Sequence, residues 1–288
     1  MRLMVCTISF RHHVISLDEL CSFAQAERFQ GIELWGTHAK NLADQPEYGM
    51  EWLRRYGLYV PMLSDYLPLE AHADELRTKL ETLSTLARHW GARKLRTFAG
   101  RRSSSESSRD EREHVVRRLR EACTSLADQD QLLLVETHPR TLADTTASTL
   151  QLLAEVNHPA LRVNFDVLHL WEAGDDPSVA LARLRPYVSH YHLKNVSSRE
   201  RLAVFAPENV YSAAGSRLGM VPLFEGAFDY DTFLSELTGD SRLEASLEWF
   251  GDDVMSTLSH DRHAIEQLGV ARPLAVAQRR SCPTPLRA

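Results

Sequence analysis

LLLVETHP (residues 132–139) begins as an ordinary buried strand and ends on Glu136, Thr137, His138 and Pro139. Side chains alternate across a strand, so Glu136 and His138 share one side. The run before them is apolar enough to be covered on both faces, which puts that side in an interior. A carboxylate buried without a partner is costly. The strand end therefore demands a counter-charge, and a histidine beside it suggests chemistry.

The same pattern recurs along the chain. Strand-like runs RLMVCTISF, GIELWG, YVPMLSDY, KLRTFAG, LLLVETHP, LRVNFDVLHLW, VSHYHLKNV and ASLEWFG alternate with amphipathic helical stretches. Eight strands, each followed by a helix, predict a single (β/α)₈ barrel spanning residues 1–272, with an irregular tail at 273–288. A doubly wound open sheet is the other arrangement of such a pattern. No Gly-rich loop follows the first strand, so its dinucleotide-binding version has no support. The weakest helix is the second, around DQPEYGMEWLRRYG, because Gly49 falls inside it.

Two connections are long. RRSSSESSRDERE (101–113) reads as a solvated loop, with Ser108 and Glu111 at capping-box spacing for the next helix. The segment from Ser197 to Tyr230 carries too many aromatic and apolar residues for disorder, and its length predicts an ordered lid over a site.

The 288 residues are 43% hydrophobic and 25% charged, with a formal charge of -6, the profile of a globular protein without a basic nucleic-acid-binding face. No apolar run is long enough for a membrane span, and the N-terminus lacks a signal-peptide core. Cys6, Cys21, Cys123 and Cys282 form no CxxC pair and read as reduced thiols of a cytoplasmic protein.

In a barrel of this kind the carboxyl ends of the strands converge on one mouth. The fourth strand brings Arg96, the fifth Glu136 and His138, and the sixth Asp166 with His169. The seventh brings His190, His192 and Lys194, and the eighth Glu248. Each residue alone has a bland reading: a strand-end Glu paired with a basic neighbour, or a hydrogen-bonded core His. Three carboxylates and several imidazoles in one pit are different, because they repel unless a cation sits among them. The economical arrangement is a divalent metal held by Glu136, Asp166, His192 and Glu248. Three oxygens and one nitrogen favour Mn²⁺, Mg²⁺ or Co²⁺ over a structural zinc, and leave coordination positions open for substrate. His190 lies deeper and reads as a core or supporting residue. His169 reads equally as a partner of a ligand or a substrate contact. His12, His13 and His38, at the ends of the first two strands, are further candidates for the pocket wall. Arg96 could instead pair with a resident acid, Glu33 or Asp65.

The order Glu, Asp, His, Glu over the last four strands resembles the xylose-isomerase-like TIM-barrel superfamily. TISFRHH (7–13), GIELWGTHAKNL (31–42), LSDYL (63–67), RTFAG (96–100), ETHP (136–139) and NFDVLHLWEAGDDP (164–177) narrow the likeness. So do HYHLKN (190–195), NVYSAAGSRLGMVPLFEG (209–226) and SLEWFG (246–251). Together they resemble the bacterial 3-dehydroshikimate dehydratases of catechol siderophore assembly, as in petrobactin biosynthesis. The resemblance implies dehydration of 3-dehydroshikimate to 3,4-dihydroxybenzoate (protocatechuate), with the metal ligands already named. It implies His138 as general base, Lys194 as a catalytic cation, Arg96 on the substrate carboxylate, and Tyr66, His169, Phe205 and Tyr211 around the pocket. The expected partner is a small molecule, with no nucleic acid or membrane, and a homo-oligomer is compatible. A sugar or inositol isomerase or epimerase of the same superfamily would use the same metal site. Arg96 separates the two, since a neutral sugar needs no buried arginine.

Overall fold

The structure is a computed structural model, described here for residues 1–237 and 242–271. Eight parallel strands close into a barrel: β1 (Arg2–Cys6), β2 (Gly31–Trp35), β3 (Met62–Ser64), β4 (Lys94–Thr97), β5 (Leu132–Glu136), β6 (Leu161–Asp166), β7 (Val188–Leu193) and β8 (Glu244–Leu247). Neighbours in sequence are neighbours in the sheet, and β8 returns to β1. The expected barrel is the observed one.

Alternation sorts the strand residues into two sets. Leu3, Val5, Ile32, Leu34, Leu133, Val135, Val163 and Phe165 join the apolar shell between barrel and helices. The residues between them, including Met4, Met62 and Leu134, are buried inside the barrel, and towards the strand ends this inner set becomes polar. Burying the shell residues contributes roughly 1.5–3 kcal/mol for each large side chain. That reserve lets the inner set carry charge.

Register then sets the levels of the mouth. His192 pairs with Asp166 on β6 and with Ser246 on β8, while Glu136 pairs with Asn164. β7 holds a bulge here: Val163 pairs with Val188 but Asn164 with His190, so Ser189 is an extra residue. Bulges re-aim side chains next to active sites. This one brings His192, rather than Tyr191, level with Asp166, and the carbonyl of Ser189 accepts a hydrogen bond from Lys94 Nζ at 2.7 Å.

The stretch expected as the second helix, 44–57, is helical only in part. A short helix (Gly36–Asn41) follows β2 directly and ends before that stretch, and another (Met50–Arg54) begins only after Gly49, whose backbone is extended. Gly49 starts a helix instead of interrupting one, because its extended backbone suits the residue before the first turn. The Ser-rich segment ends in the expected capping box, with Ser108 and Glu111 reciprocally bonded at the start of the helix Arg109–Ala127.

The connection after β7 is ordered. Asn195–Val196 pairs antiparallel with Met220–Val221, and between them lie a 3₁₀ segment (Arg199–Phe205) and a short helix (Pro207–Val210). Val196, Val204, Phe205, Val210 and Met220 pack with Ile8, Leu168 and Phe250 into a second small core above the barrel. Asn195 pins the base of this lid through Nδ2, which donates to Leu223 O and Phe228 O at 2.7 and 2.9 Å. A Cβ at Gly226 would stand 2.2 Å from Asn195 Cγ, so only glycine admits that side chain.

Cys6, Cys21 and Cys123 are buried free thiols, whereas Cys282 and the tail at 273–288 lie outside the described residues. Among the described residues no helix is long and apolar enough to cross a membrane.

Candidate active site

Glu136, Asp166, His192 and Glu248 meet at the carboxyl end of the barrel, each at most 7% exposed. His192 Nδ1 lies 3.4 Å from Glu248 Oε1, 3.6 Å from Glu136 Oε2 and 3.9 Å from Asp166 Oδ2. This nitrogen is buried and has no hydrogen-bond partner. Its other nitrogen, Nε2, stands 2.8 Å from Glu33 Oε2, and a carboxylate can only accept, so the proton belongs on Nε2. The arrangement aims an unpartnered nitrogen at three carboxylates.

Charge counting gives the same picture. Four buried carboxylates, Glu33, Glu136, Asp166 and Glu248, face two fixed buried cations, Arg96 and Lys194. Burial opposes a charge on His192, but Glu33, Glu248 and Glu136 outweigh it and raise its pKa well above the usual value. Without a metal, a proton on that ring offsets part of the acid surplus. A divalent cation is the complement of that surplus. Groups of three donors lie close enough to share an ion, among them Asp166, His192 and Glu248, and Glu136, Asp166 and His169. The donor set and its orphaned nitrogen fit a hard divalent ion.

Lys194 stands between the acids. Its ammonium donates to Asp166 Oδ2 and, at 2.7 Å, to Glu248 Oε2, and it lies 5.7 Å from the centre of the Phe205 ring. Burial works against its charge, but Asp166, Glu248 and Glu136 outweigh that and hold the proton more firmly than usual. The sequence placed Lys194 near substrate; the structure adds that it already ties two of the acids together.

Arg96 does pair with a resident acid, but that acid is Glu136 and neither Glu33 nor Asp65. Its Nε lies 3.0 Å from Glu136 Oε2, while Asp65 is taken by Lys40 and Lys79 at 2.5 and 3.0 Å. The Tyr66 and Phe98 rings flank the guanidinium at 5.3 and 5.4 Å. Nε and Nη1 are buried without a hydrogen bond in good geometry. Unmet buried donors of this kind cost about 1–3 kcal/mol each, which an anionic ligand would return.

His138 has a defined tautomer. Nδ1 stands 2.7 Å from the carbonyl of Pro139 and must donate to it, leaving the Nε2 lone pair free. Burial, then the neighbouring His169 at 4.4 Å between rings, pushes its pKa down to about 3, so the ring is neutral near pH 7. Phe98 packs on its other side at 4.2 Å.

His138, Arg96, Lys194, Tyr66, His169, Phe205 and Tyr211 all line one narrow cleft of about 40 Å³ between the mouth and the lid. The Tyr66 and Tyr211 hydroxyls touch across its entrance. His169 contacts Glu172 through Nδ1 at 2.8 Å, and its backbone N–H donates to Asp166 Oδ1, the cap of its helix, at 3.0 Å. His12, His13 and His38 are not among the lining residues. His12 reaches Val210 O at 3.3 Å, His38 reaches Thr7 Oγ1 at 3.1 Å, and His13 packs on Phe10. His12 and His13 lie beyond the 3₁₀ turn Thr7–Phe10 that follows β1, and His38 lies in the short helix after β2. His190 sits in the core with Nε2 2.7 Å from Ser246 Oγ. Sequence reasoning did not single out Phe98, Ile8, Val210 or Phe250 as cleft wall, or Glu33 as the partner of His192. The position of Glu33 in the middle of β2, inward between the outward Ile32 and Leu34, was the available signal. A larger groove of about 500 Å³ beside the Ser-rich loop includes none of the strand-end acids.

The model of the family described as "Xylose isomerase-like TIM barrel" matches residues 22–273. The chain belongs to that family. Xylose isomerase-like enzymes use divalent metals, in keeping with the donor groups at the mouth. This barrel is 47% identical over 264 residues to a 3-dehydroshikimate dehydratase of Bacillus anthracis, covering 90% of this chain and 94% of the relative. A crystal structure of a probable 3-DHS dehydratase involved in petrobactin synthesis from Bacillus anthracis superposes with TM-score 0.89 at 46% identity, over 92% of this chain and 99% of that one. A xylose isomerase-like barrel from Mycobacterium smegmatis, solved with magnesium, shares the fold at TM-score 0.62 and 16% identity, over 94% and 97% of the two chains. The family expected from the strand-end motifs is the family found.

Proposed function

We propose that this chain dehydrates 3-dehydroshikimate to 3,4-dihydroxybenzoate and water, a product suited to a catechol siderophore of the petrobactin type. The similarity to the Bacillus anthracis dehydratase supports the substrate. Within the molecule, Arg96 carries the reading: a buried guanidinium with unmet donors beside a surplus of acid is a receptor for a planar carboxylate. Glu136 lies only against Nε, so a neutral sugar would leave Nη1 without a partner, which disfavours the isomerase reading.

Glu136, Asp166, His192 and Glu248 would hold the ion, Mn²⁺ or Mg²⁺ by donor hardness, with Co²⁺ a third fit. When bound, it would act as a Lewis acid towards the substrate ketone. Arg96, beside Glu136, holds the ring carboxylate through its remaining donors. His138, with Nδ1 committed to Pro139 O, takes the C4 proton on Nε2. It then returns that proton to the C5 hydroxyl, which departs as water. Loss of a second ring proton and protonation of the ketone oxygen complete the aromatic ring. Lys194 adds positive charge beside the oxygen that becomes negative along the way. Phe205, Tyr66 and Tyr211 keep bulk water out.

The test is incubation of the protein with Mn²⁺ or Mg²⁺ and 3-dehydroshikimate, following protocatechuate by absorbance and mass. Product should form, stop on chelation and resume when metal is restored. No product with any of the three metals would sink the reading, and turnover of neutral ketoses instead would establish the isomerase.

A further inference from the structure

Glu33 is the most deeply buried acid of the mouth that is not a proposed ligand, at 0% exposure. No Arg or Lys nitrogen pairs with it among the described ion pairs, unlike Glu136, Asp166 and Glu248. Its partners are His192 Nε2 at 2.8 Å, the Ser64 hydroxyl, and His190 Nε2 at 3.7 Å. A carboxylate held this deep without a fixed cation needs a purpose or a partner that repays its desolvation.

The geometry points to Glu33 as a positioning residue that commits His192 to bind metal through Nδ1. This inference rests on the metal reading above. A neutral imidazole has one N–H and one lone pair, and their placement is free unless a neighbour fixes it. Glu33 Oε2 accepts from Nε2, so the lone pair falls on Nδ1, the nitrogen that faces Glu136, Asp166 and Glu248. The Ser64 hydroxyl donates to the other oxygen, Oε1, and stops the carboxylate from turning away. The line runs across the barrel, from β3 through β2 to β7, entirely in buried side chains. His190 cannot substitute, because its Nε2 is engaged by Ser246 Oγ at 2.7 Å. A carboxylate behind a ligand histidine orients the ring and raises its basicity, and losing such a partner typically costs about 10- to 100-fold in metal affinity. Glu33 is thus matched to His192, not to substrate.

The experiment compares Mn²⁺ dissociation constants of wild type and Glu33→Gln by calorimetry or by the electron-paramagnetic signal of free Mn²⁺. Glutamine keeps the shape but removes the charge and brings an N–H that can face the ring. The expected result is weaker binding by about 10- to 100-fold, with the circular dichroism of the metal-free protein unchanged. Equal affinity in the two proteins would overturn the inference and leave the metal reading intact. A wild type that binds none of Mn²⁺, Mg²⁺ or Co²⁺ would remove the metal reading and this inference with it. If Glu33→Gln does not fold, nitrogen-15 shifts of the histidines in wild type loaded with Mg²⁺ decide instead. His192 protonated on Nε2 supports the assignment, and His192 protonated on Nδ1 overturns it.

Discussion

The two ends of the barrel solve the same problem in opposite ways. At the floor, where the strands begin, Glu244 receives Lys94 Nζ at 2.6 Å, the Tyr59 hydroxyl at 2.7 Å and Arg2 at 3.2 Å. One acid there faces two bases, and the partly exposed Arg2 carries the excess charge into solvent. At the mouth four acids face two bases, all of them buried. The floor is a closed plug in which the acid has all its partners within the protein. The mouth is left acid-rich, with donor groups placed where a divalent ion could bind. Stability and reactivity are therefore placed at opposite ends of the same eight strands, and substitutions at each end should move different observables.

The largest effect should come from Glu248→Gln. The variant is expected to lose metal affinity and almost all turnover, measured by calorimetry and product absorbance. Its metal-free melting temperature should change little, because the lost pair with Lys194 is offset by relief from Glu33, Glu136 and Asp166. A variant with wild-type turnover would remove Glu248 from the site and weaken the contrast at its root.

His138→Asn should keep its metal and lose about 10²- to 10⁴-fold in kcat, the usual contribution of a general base. Metal stoichiometry by elemental analysis separates this outcome from a lost ligand. A variant that binds no metal would make His138 a ligand, and normal kcat would move the base elsewhere, with Lys194 the first candidate.

Arg96→Ala should lower kcat/KM for 3-dehydroshikimate by at least about ten-fold, the worth of one charge-assisted hydrogen bond. The same comparison with the substrate carboxamide sharpens the point. If Arg96 reads the carboxylate, the penalty shrinks for the amide; if Arg96 serves only Glu136, it stays the same.

The smallest effect tests the floor. Tyr59→Phe removes one hydrogen bond to Glu244 and should cost about 1 kcal/mol of stability, read from denaturant unfolding. Steady-state kcat should be unchanged. A fall in kcat would show that the two ends are coupled, and the Ser189 bulge bound by Lys94 would be the first link to examine.

The eight strand runs were legible because covered parallel strands are nearly continuous apolar stretches, and their polar ends mark where the cover stops. The capping box at Ser108 and Glu111 was legible because it is a local exchange within four residues. The second helix was misjudged at Gly49, since an extended glycine can precede a helix as well as break one. The lid was recognised as ordered from its apolar residues, but its small core with Ile8, Leu168 and Phe250 joins segments far apart in sequence.

The sequence by itself determined the alternation of strands and helices and the acidic and imidazole residues at four consecutive strand ends. Those depend on periods of two and on residue type, which can be read along one segment. Pairing across the barrel belonged to the tertiary structure alone. Closure and the register of the strands set Glu33 against His192, Arg96 against Glu136, and Lys194 between Asp166 and Glu248. The bulge at Ser189 shifted β7 by one residue and brought His192 level with Asp166. Side chains from strands that share no local sequence find each other only when the sheet closes, because a one-residue change in register exchanges inner and outer faces.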